Sequence, residues 1–173
     1  MSTVRFIADL HFGHTNMATH RGFKDEFEHD EHIVSCWNSV VQKRDLTYIL
    51  GDVTMETSKW YFRLDELAGR KIVVLGNHDM PKNVAELLMH VEKVAGMIQY
   101  KGIFLTHAPI HPMELDYRVS RNIHGHIHEK VVTREKWESG KPIVQVPHEK
   151  YHCVSCEQVN YTPKTLEELG ITR

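Results

Sequence analysis

The chain has 173 residues, with 21 Lys and Arg against 23 Asp and Glu for a formal charge of −2, so no broad basic field marks it for nucleic acid or an anionic membrane. That length suits one hydrophobic core and is too short for a catalytic domain plus a separate cap, so a single domain over 1–173 is expected. Fourteen histidines are the one compositional excess.

Thr3 to Ala8 reads as a short apolar strand that enters Asp9. The polar stretch from His14 to Arg21 is expected to be a loop overhanging that strand's end. Asp30 to Gln42 then sets Ile33, Trp37, Val40 and Val41 at helical spacing, and Leu46 to Leu50 is the next strand, ending at Gly51-Asp52. Ser58 to Ala68 repeats the helical period with Trp60, Leu64 and Leu67, and Gly69 sits where a C-cap belongs. Lys71 to Leu75 is the third strand; it runs into Gly76-Asn77-His78-Asp79, after which Pro81 and Asn83 open a helix carrying Val84, Leu87, Leu88 and Val91. Three strand-helix units in series predict a parallel sheet.

The second half changes character. Met97 to Tyr100 and Ile103 to Thr106 flank Lys101-Gly102, a hairpin signal, while Ile143 to Val146 and Tyr151 to Val159 read as further strands and Leu166 to Leu169 as a short helix. A second, partly antiparallel sheet is expected. The apolar run Val4 to Leu10 is broken by Arg5 and Asp9 and too short for a leader or a spanning helix, so a soluble cytoplasmic protein is expected, without membrane association. Cys36, Cys153 and Cys156 are an odd set that argues against a disulfide framework, and Cys153-Val-Ser-Cys156 lacks the second pair a zinc knuckle needs.

Five blocks recur in order: Asp9-Leu10-His11, Gly51-Asp52, Gly76-Asn77-His78-Asp79, Thr106-His107 and Gly125-His126-Ile127-His128. Each carries a carboxylate, an imidazole or an amide oxygen, and four follow or interrupt an apolar run, so these groups fall where strands end, the edge at which open α/β sheets keep their sites. Hard and borderline divalent ions accept these donors, and a pair of ions about 3.5–4 Å apart shares a bridging carboxylate and water. Asp52, following a glycine, is the natural bridge; Asp9 with His11, and His126 with His128, are spaced two apart so that each pair can aim at one ion. The expected nucleophile is a metal-bridging hydroxide.

The series of blocks resembles the calcineurin-like metallophosphoesterases, and within them it is similar to small single-domain prokaryotic and phage-type members. The resemblance implies an α/β fold of two mixed β-sheets packed as a sandwich flanked by helices. It implies that Asp9, His11, Asp52 and His128 hold one metal and that Asp52, Asn77, His107 and His126 hold the other. It further implies that His78 stands outside the ligand set as general acid, with Asp79 orienting its ring through a carboxylate-imidazole hydrogen bond. Two divalent ions are expected, manganese foremost, with iron, zinc or nickel also matching the donors.

The substrate expected is a phosphate ester, with nucleotide-derived esters among the options. Val53-Thr54-Met55-Glu56 lacks the Asp-Arg-Gly of the family's protein-phosphatase branch, and Asp79 stands where that branch has Glu, which disfavours a protein phosphatase. Phosphodiester hydrolysis is favoured over monoester hydrolysis. A non-catalytic partner-binding module of the same fold is the contrasting reading, and the complete set of blocks argues against it. His14, Asn16 and Arg21, with Arg121 on the return toward the last block, are the expected substrate contacts, while His124 reads as a satisfied core histidine or a support for its neighbours. The short spacings leave an open cleft, compatible with closure by a second subunit in a homo-oligomer.

Overall fold

Strand β1 (Val4–Ile7) is buried progressively along its length, with Phe6 and Ile7 fully inside, as expected of a strand covered on both faces. In the computed structural model, which describes residues 2–171, β1 pairs in parallel with β2 (Leu46–Ile49), β2 with β3 (Arg70–Val74), and β3 with a short edge strand, β4 (Lys93–Ala95). The register sets Val4 against Leu46 and Leu46 against Arg70, so the three long strands end together. A second sheet has the order β10-β7-β6-β5, from β5 (Ile98–Tyr100), β6 (Ile103–Leu105), β7 (Arg121–His124) and β10 (Tyr151–Cys153). In it β5 and β6 form the expected antiparallel hairpin, and the other neighbours are parallel. β8 (Thr133–Glu138) and β9 (Lys141–Pro147) make a separate antiparallel ribbon.

The two four-stranded sheets meet at the end of β1. Ala8 donates its amide to the Val154 carbonyl and accepts from Cys156, while Val154 donates to the His124 carbonyl. The extended segment after β10 therefore lies between β1 and β7 and brings their C-terminal ends side by side. Farther back, Lys164 adds an antiparallel bridge to Phe6. The result is the expected α/β class, two sheets with helices outside.

Helix α2 (Glu26–Val40) begins four residues before the sequence pattern predicts. Asp25 caps it by accepting from the Glu28 amide, and Glu26 and Glu28 favour the positive end of its dipole. Ile33 and Trp37, one turn apart, are fully buried, each burial being worth roughly 1.5–3 kcal/mol, and the indole N–H donates to the Ala68 carbonyl. Ser58 to Ala68 is not an α-helix: Tyr61–Glu66 is a 3-10 turn, with Tyr61 and Leu64 buried three residues apart and Leu67 donating to the Leu64 carbonyl.

Other expectations are corrected by tertiary contacts. His14 to Arg21 is not a plain loop, since Thr15–His20 forms helix α1 with Ala18 buried beneath it. The segment from Pro81 is a 3-10 turn followed by the single-turn helix α3 (Val84–Leu87). β7 carries a single aliphatic residue, Ile123, and is held inside by Asn122, whose amide donates to the Phe104 carbonyl and the Thr106 hydroxyl and whose carbonyl oxygen accepts from Ile110. Tyr151 to Val159 leaves the strand after Cys153, and the expected Leu166–Leu169 helix is a run of turns.

Burial also sets a pH response. His124 and His152 are each pushed down to about 4 by desolvation, and in each ring Nε2 is buried without a partner. The unfolded chain binds these protons below pH 6.5 while the native state refuses them until about pH 4, so native stability falls as pH drops through that window. Denaturant titration of metal-free protein from pH 7 to 4 is expected to show this decline, with a slope of up to about 1.4 kcal/mol per pH unit for each buried site. His124→Phe is expected to flatten the slope, and an unchanged slope would remove His124 from the account.

Candidate metal centre

The first block leaves β1 through two residues in the left-handed region, Asp9 at φ 58° and His11 at φ 49°. Asp52 (53°), His126 (71°) and His128 (50°) share that conformation, which costs an L-residue roughly 1–2 kcal/mol. Five of the expected ligands thus sit in sharp turns at the strand ends rather than on extended chain. Each turn is held from outside. The Asp9 amide donates to the Gly51 carbonyl and the His11 amide to the Asp52 carbonyl, so the first two blocks support each other.

Asp9 is fully buried and joins both halves of the chain. Its carboxylate accepts from the His126 amide at 2.9 Å and the Ser155 hydroxyl at 2.6 Å, and burial still pushes its pKa above the usual range. His11 is buried with both ring nitrogens unpartnered, and desolvation drives it down to about 2, so the ring is neutral and its lone pair is available. Its ring stacks on His128 at 5.4 Å. One nitrogen or oxygen from each of Asp9, His11 and His128 lies within 4.8 Å of the others.

Asp52, His107 and His126 form a second group with the same property. His107 Nδ1–H donates to the Leu50 carbonyl at 2.9 Å, so in the neutral ring Nε2 is an acceptor. Toward that atom point Asn77 Oδ1 at 2.8 Å, His126 Nδ1 at 3.1 Å and Asp52 Oδ2 at 3.4 Å. One ring proton can serve at most one of these contacts, so four donor atoms converging here are what a cation-binding set looks like. The same Asp52 oxygen is 3.8 Å from His11 Nε2, so it stands between the two groups, the place expected of a bridge. The orphaned His11 nitrogens and the convergence on His107 together fit divalent ions. Glycine is required twice here: a Cβ on Gly76 would strike the Asp52 carboxylate, and one on Gly125 would lie 2.5 Å from Asp9 Oδ2.

Neighbouring side chains fix the expected ligands. His128 Nδ1–H donates to Glu157, which raises the pKa of that ring and leaves Nε2 for an ion. Burial would raise the Glu157 carboxyl, but the bonds from His128 and Arg21 outweigh it and hold the group at about 2. Arg21 Nε donates to Glu157 at 2.8 Å and Nη2 to the Asp9 carbonyl at 2.8 Å; Nη1 lies 2.8 Å from His29 Nε2, and His29 in turn meets Asp30 at 2.9 Å. Asp30 accepts from the Gly13 amide at 2.9 Å, closing the loop that follows His11.

Three expected roles change. The Asp79 carboxylate does not face the His78 ring; it accepts from the backbone amides of Asp52, Val53 and Gly76, clamping the second and third blocks together. The acid facing His78 is Glu56, whose Oε1 lies 3.3 Å from Nδ1, a pairing invisible in sequence because Glu56 is a lone exposed acid in a loop. His78 itself donates its amide to Asp52 Oδ1 at 3.0 Å and keeps its half-buried ring 5.9 Å from that of His11, outside both groups. Arg21 is not a substrate contact, because its side chain is fully enclosed and committed to Glu157 and the Asp9 backbone. Arg121 lies at the start of β7, the far end from the site, and donates to the Glu149 carbonyl. His14 is near, its ring 6.0 Å from that of His11, and Asn16 is exposed on α1. His124 is a core residue, donating Nδ1–H to the Gly125 carbonyl.

Arg21→Leu leaves Glu157 buried and without its cation, so a loss of about 3–5 kcal/mol is expected in denaturant unfolding. A loss below about 1 kcal/mol would show that the pair does not hold this corner together.

No family model matches the chain. Over 86 residues it is 38% identical to the gene 66 protein of Mycobacterium phage L5, a match that covers 47% of this chain and 42% of that protein. The chain thus spans about two fifths of the length of the curated phage relatives it matches. An uncharacterized protein of Methanocaldococcus jannaschii is 29% identical over 174 residues, covering 96% of this chain and 89% of that one. Among solved structures, a protein of unknown function from Aquifex aeolicus superposes with a TM-score of 0.68 at 25% identity, covering 98% of each chain. The phosphopantetheinyl hydrolase of Mycobacterium tuberculosis superposes with a TM-score of 0.52 at 13% identity, covering 89% of each chain. The chain therefore shares its fold with a hydrolase, and its own activity is to be inferred from its site.

Proposed function

We propose that the chain is a dinuclear-metal phosphoesterase of the calcineurin-like type, acting on phosphodiesters. The observation that carries this reading is the convergence of Asn77, His126 and Asp52 oxygen and nitrogen atoms on His107 Nε2, beside a buried His11 with no partner for either ring nitrogen. Asp9, His11, Asp52 and His128 would hold one ion and Asp52, Asn77, His107 and His126 the other, with manganese the foremost candidate. Two such ions supply Lewis acidity, an activated water and neutralisation of the charge that builds at phosphorus.

The chain's own residues account for the remainder. With Nδ1 facing Glu56, a protonated His78 presents Nε2–H to the departing ester oxygen, and Glu56 stabilises the charged ring before transfer. Asp79 keeps His78 beside Asp52 by tying the Asp52 and Val53 amides of one turn to the Gly76 amide of the other. His14, 6.0 Å from His11, forms part of the rim over which substrate arrives.

Metal content and turnover separate these roles. Asp52→Asn is expected to lose both ions, measured by metal analysis after dialysis. His78→Ala is expected to keep them and to hydrolyse bis-p-nitrophenyl phosphate about 10²–10⁴ times more slowly. Loss of metal in His78→Ala would place that residue among the ligands. A metal-loaded wild type inert toward both this diester and p-nitrophenyl phosphate would overturn the enzymatic reading.

A further inference from the structure

A cavity of about 420 Å³ opens beside the two ligand groups. One wall is helix α1, through Met17 and His20, which lie three residues apart and so share a helix face. The other wall is the turn from His126 to Lys130, which includes a histidine from each metal-binding group. His78 does not line it; that ring sits against His11 and Glu56.

We infer that this cavity seats the substituent that stays on phosphorus when a diester is cleaved, and that it selects diesters whose retained substituent carries a flat aromatic or heterocyclic ring. The inference rests on the phosphoesterase reading and deepens it. The departing oxygen must face His78 to receive a proton, so the retained substituent lies toward another side of the phosphorus. The cavity next to His126 and His128 is a walled space on such a side. Its lining suits a ring: Met17 and Ile127 offer a polarisable thioether and an aliphatic surface, and His20 an imidazole. Glu129 and Lys130 put a carboxylate and an ammonium at the rim, where the hydroxyls of a sugar would meet them. The volume is within the range of sites that enclose a small ligand, roughly 300–1,000 Å³, and exceeds what a methyl ester or a water on a monoester would fill. A monoester leaves the space unused, which is the structural ground for preferring diesters.

Bis-p-nitrophenyl phosphate and methyl p-nitrophenyl phosphate release the same leaving group and differ only in the retained substituent, so the ratio of their kcat/KM values reads the cavity. Met17→Trp, which fills the space, is expected to lower that ratio about tenfold, and Met17→Ala, which keeps a good helix former in α1, to lower it through KM about threefold. A second readout needs no turnover: with methyl-labelled methionine, the Met17 resonance is expected to move on adding phenylphosphonate and to stay in place with methylphosphonate. An unmoved ratio in both variants, or equal response to the two phosphonates, would overturn the inference while leaving the phosphoesterase reading intact. A wild type inert toward both diesters would overturn the two together.

Discussion

A fully buried carboxylate has to be answered by donors or by a cation, and Asp9 is the point where this protein meets that demand. It lies at the end of the first strand and accepts from His126 and Ser155, residues more than a hundred positions away. Its own carbonyl takes the Arg21 guanidinium. Three distant segments are thereby held around one residue, and one of them, through His128, carries an expected ligand of the same ion. Two donors leave the charge partly uncompensated, and burial still pushes the pKa of Asp9 upward. Whatever compensates Asp9 also fixes the seam between the sheets.

The backbone at the site is strained and enclosed by bonds that do not depend on an ion. Among the described residues, five of the ten non-glycine residues with positive φ are expected ligands, and such strain persists only where surrounding contacts over-determine the conformation. Asp79 is the clearest restraint, accepting three amides from two turns at once. The path from His128 through Glu157, Arg21 and His29 to Asp30 is another, running from an expected ligand to the loop after His11. Such networks carry a desolvation cost, and a half-satisfied one is worse than an apolar contact. Their presence shows why a short chain keeps so many buried polar groups near one edge.

Much of this was legible before any contact was known. The parallel order of the first three strands followed from apolar runs alternating with helical spacing, and the five blocks stood out because Asp, His and Asn at strand ends seldom recur without a reason. Charged or polar segments were harder. β8 reads Thr-Arg-Glu-Lys-Trp-Glu and pairs with its ribbon partner, and residues 133–137 are all exposed, so burial imposed no alternation on them. β7 was missed because Asn122 is buried by hydrogen bonding rather than by hydrophobicity. Helix α1, only six residues long and without a side-chain cap, left no periodic signature.

The sequence by itself determined the donors available: which residue types stand at strand ends, in what order, and hence that their oxygens and nitrogens suit divalent ions. The tertiary structure decided which polar group answers which. Asp79 turned from its neighbour His78 to the backbone of Asp52, Val53 and Gly76, Glu56 took the place beside His78, and Arg21 went inward to Glu157. A side chain's charge is a local property, readable from its letter, whereas its partner depends on the direction of the backbone that carries it. At this site that direction is set by left-handed turns, held in place by contacts from segments far away in the chain.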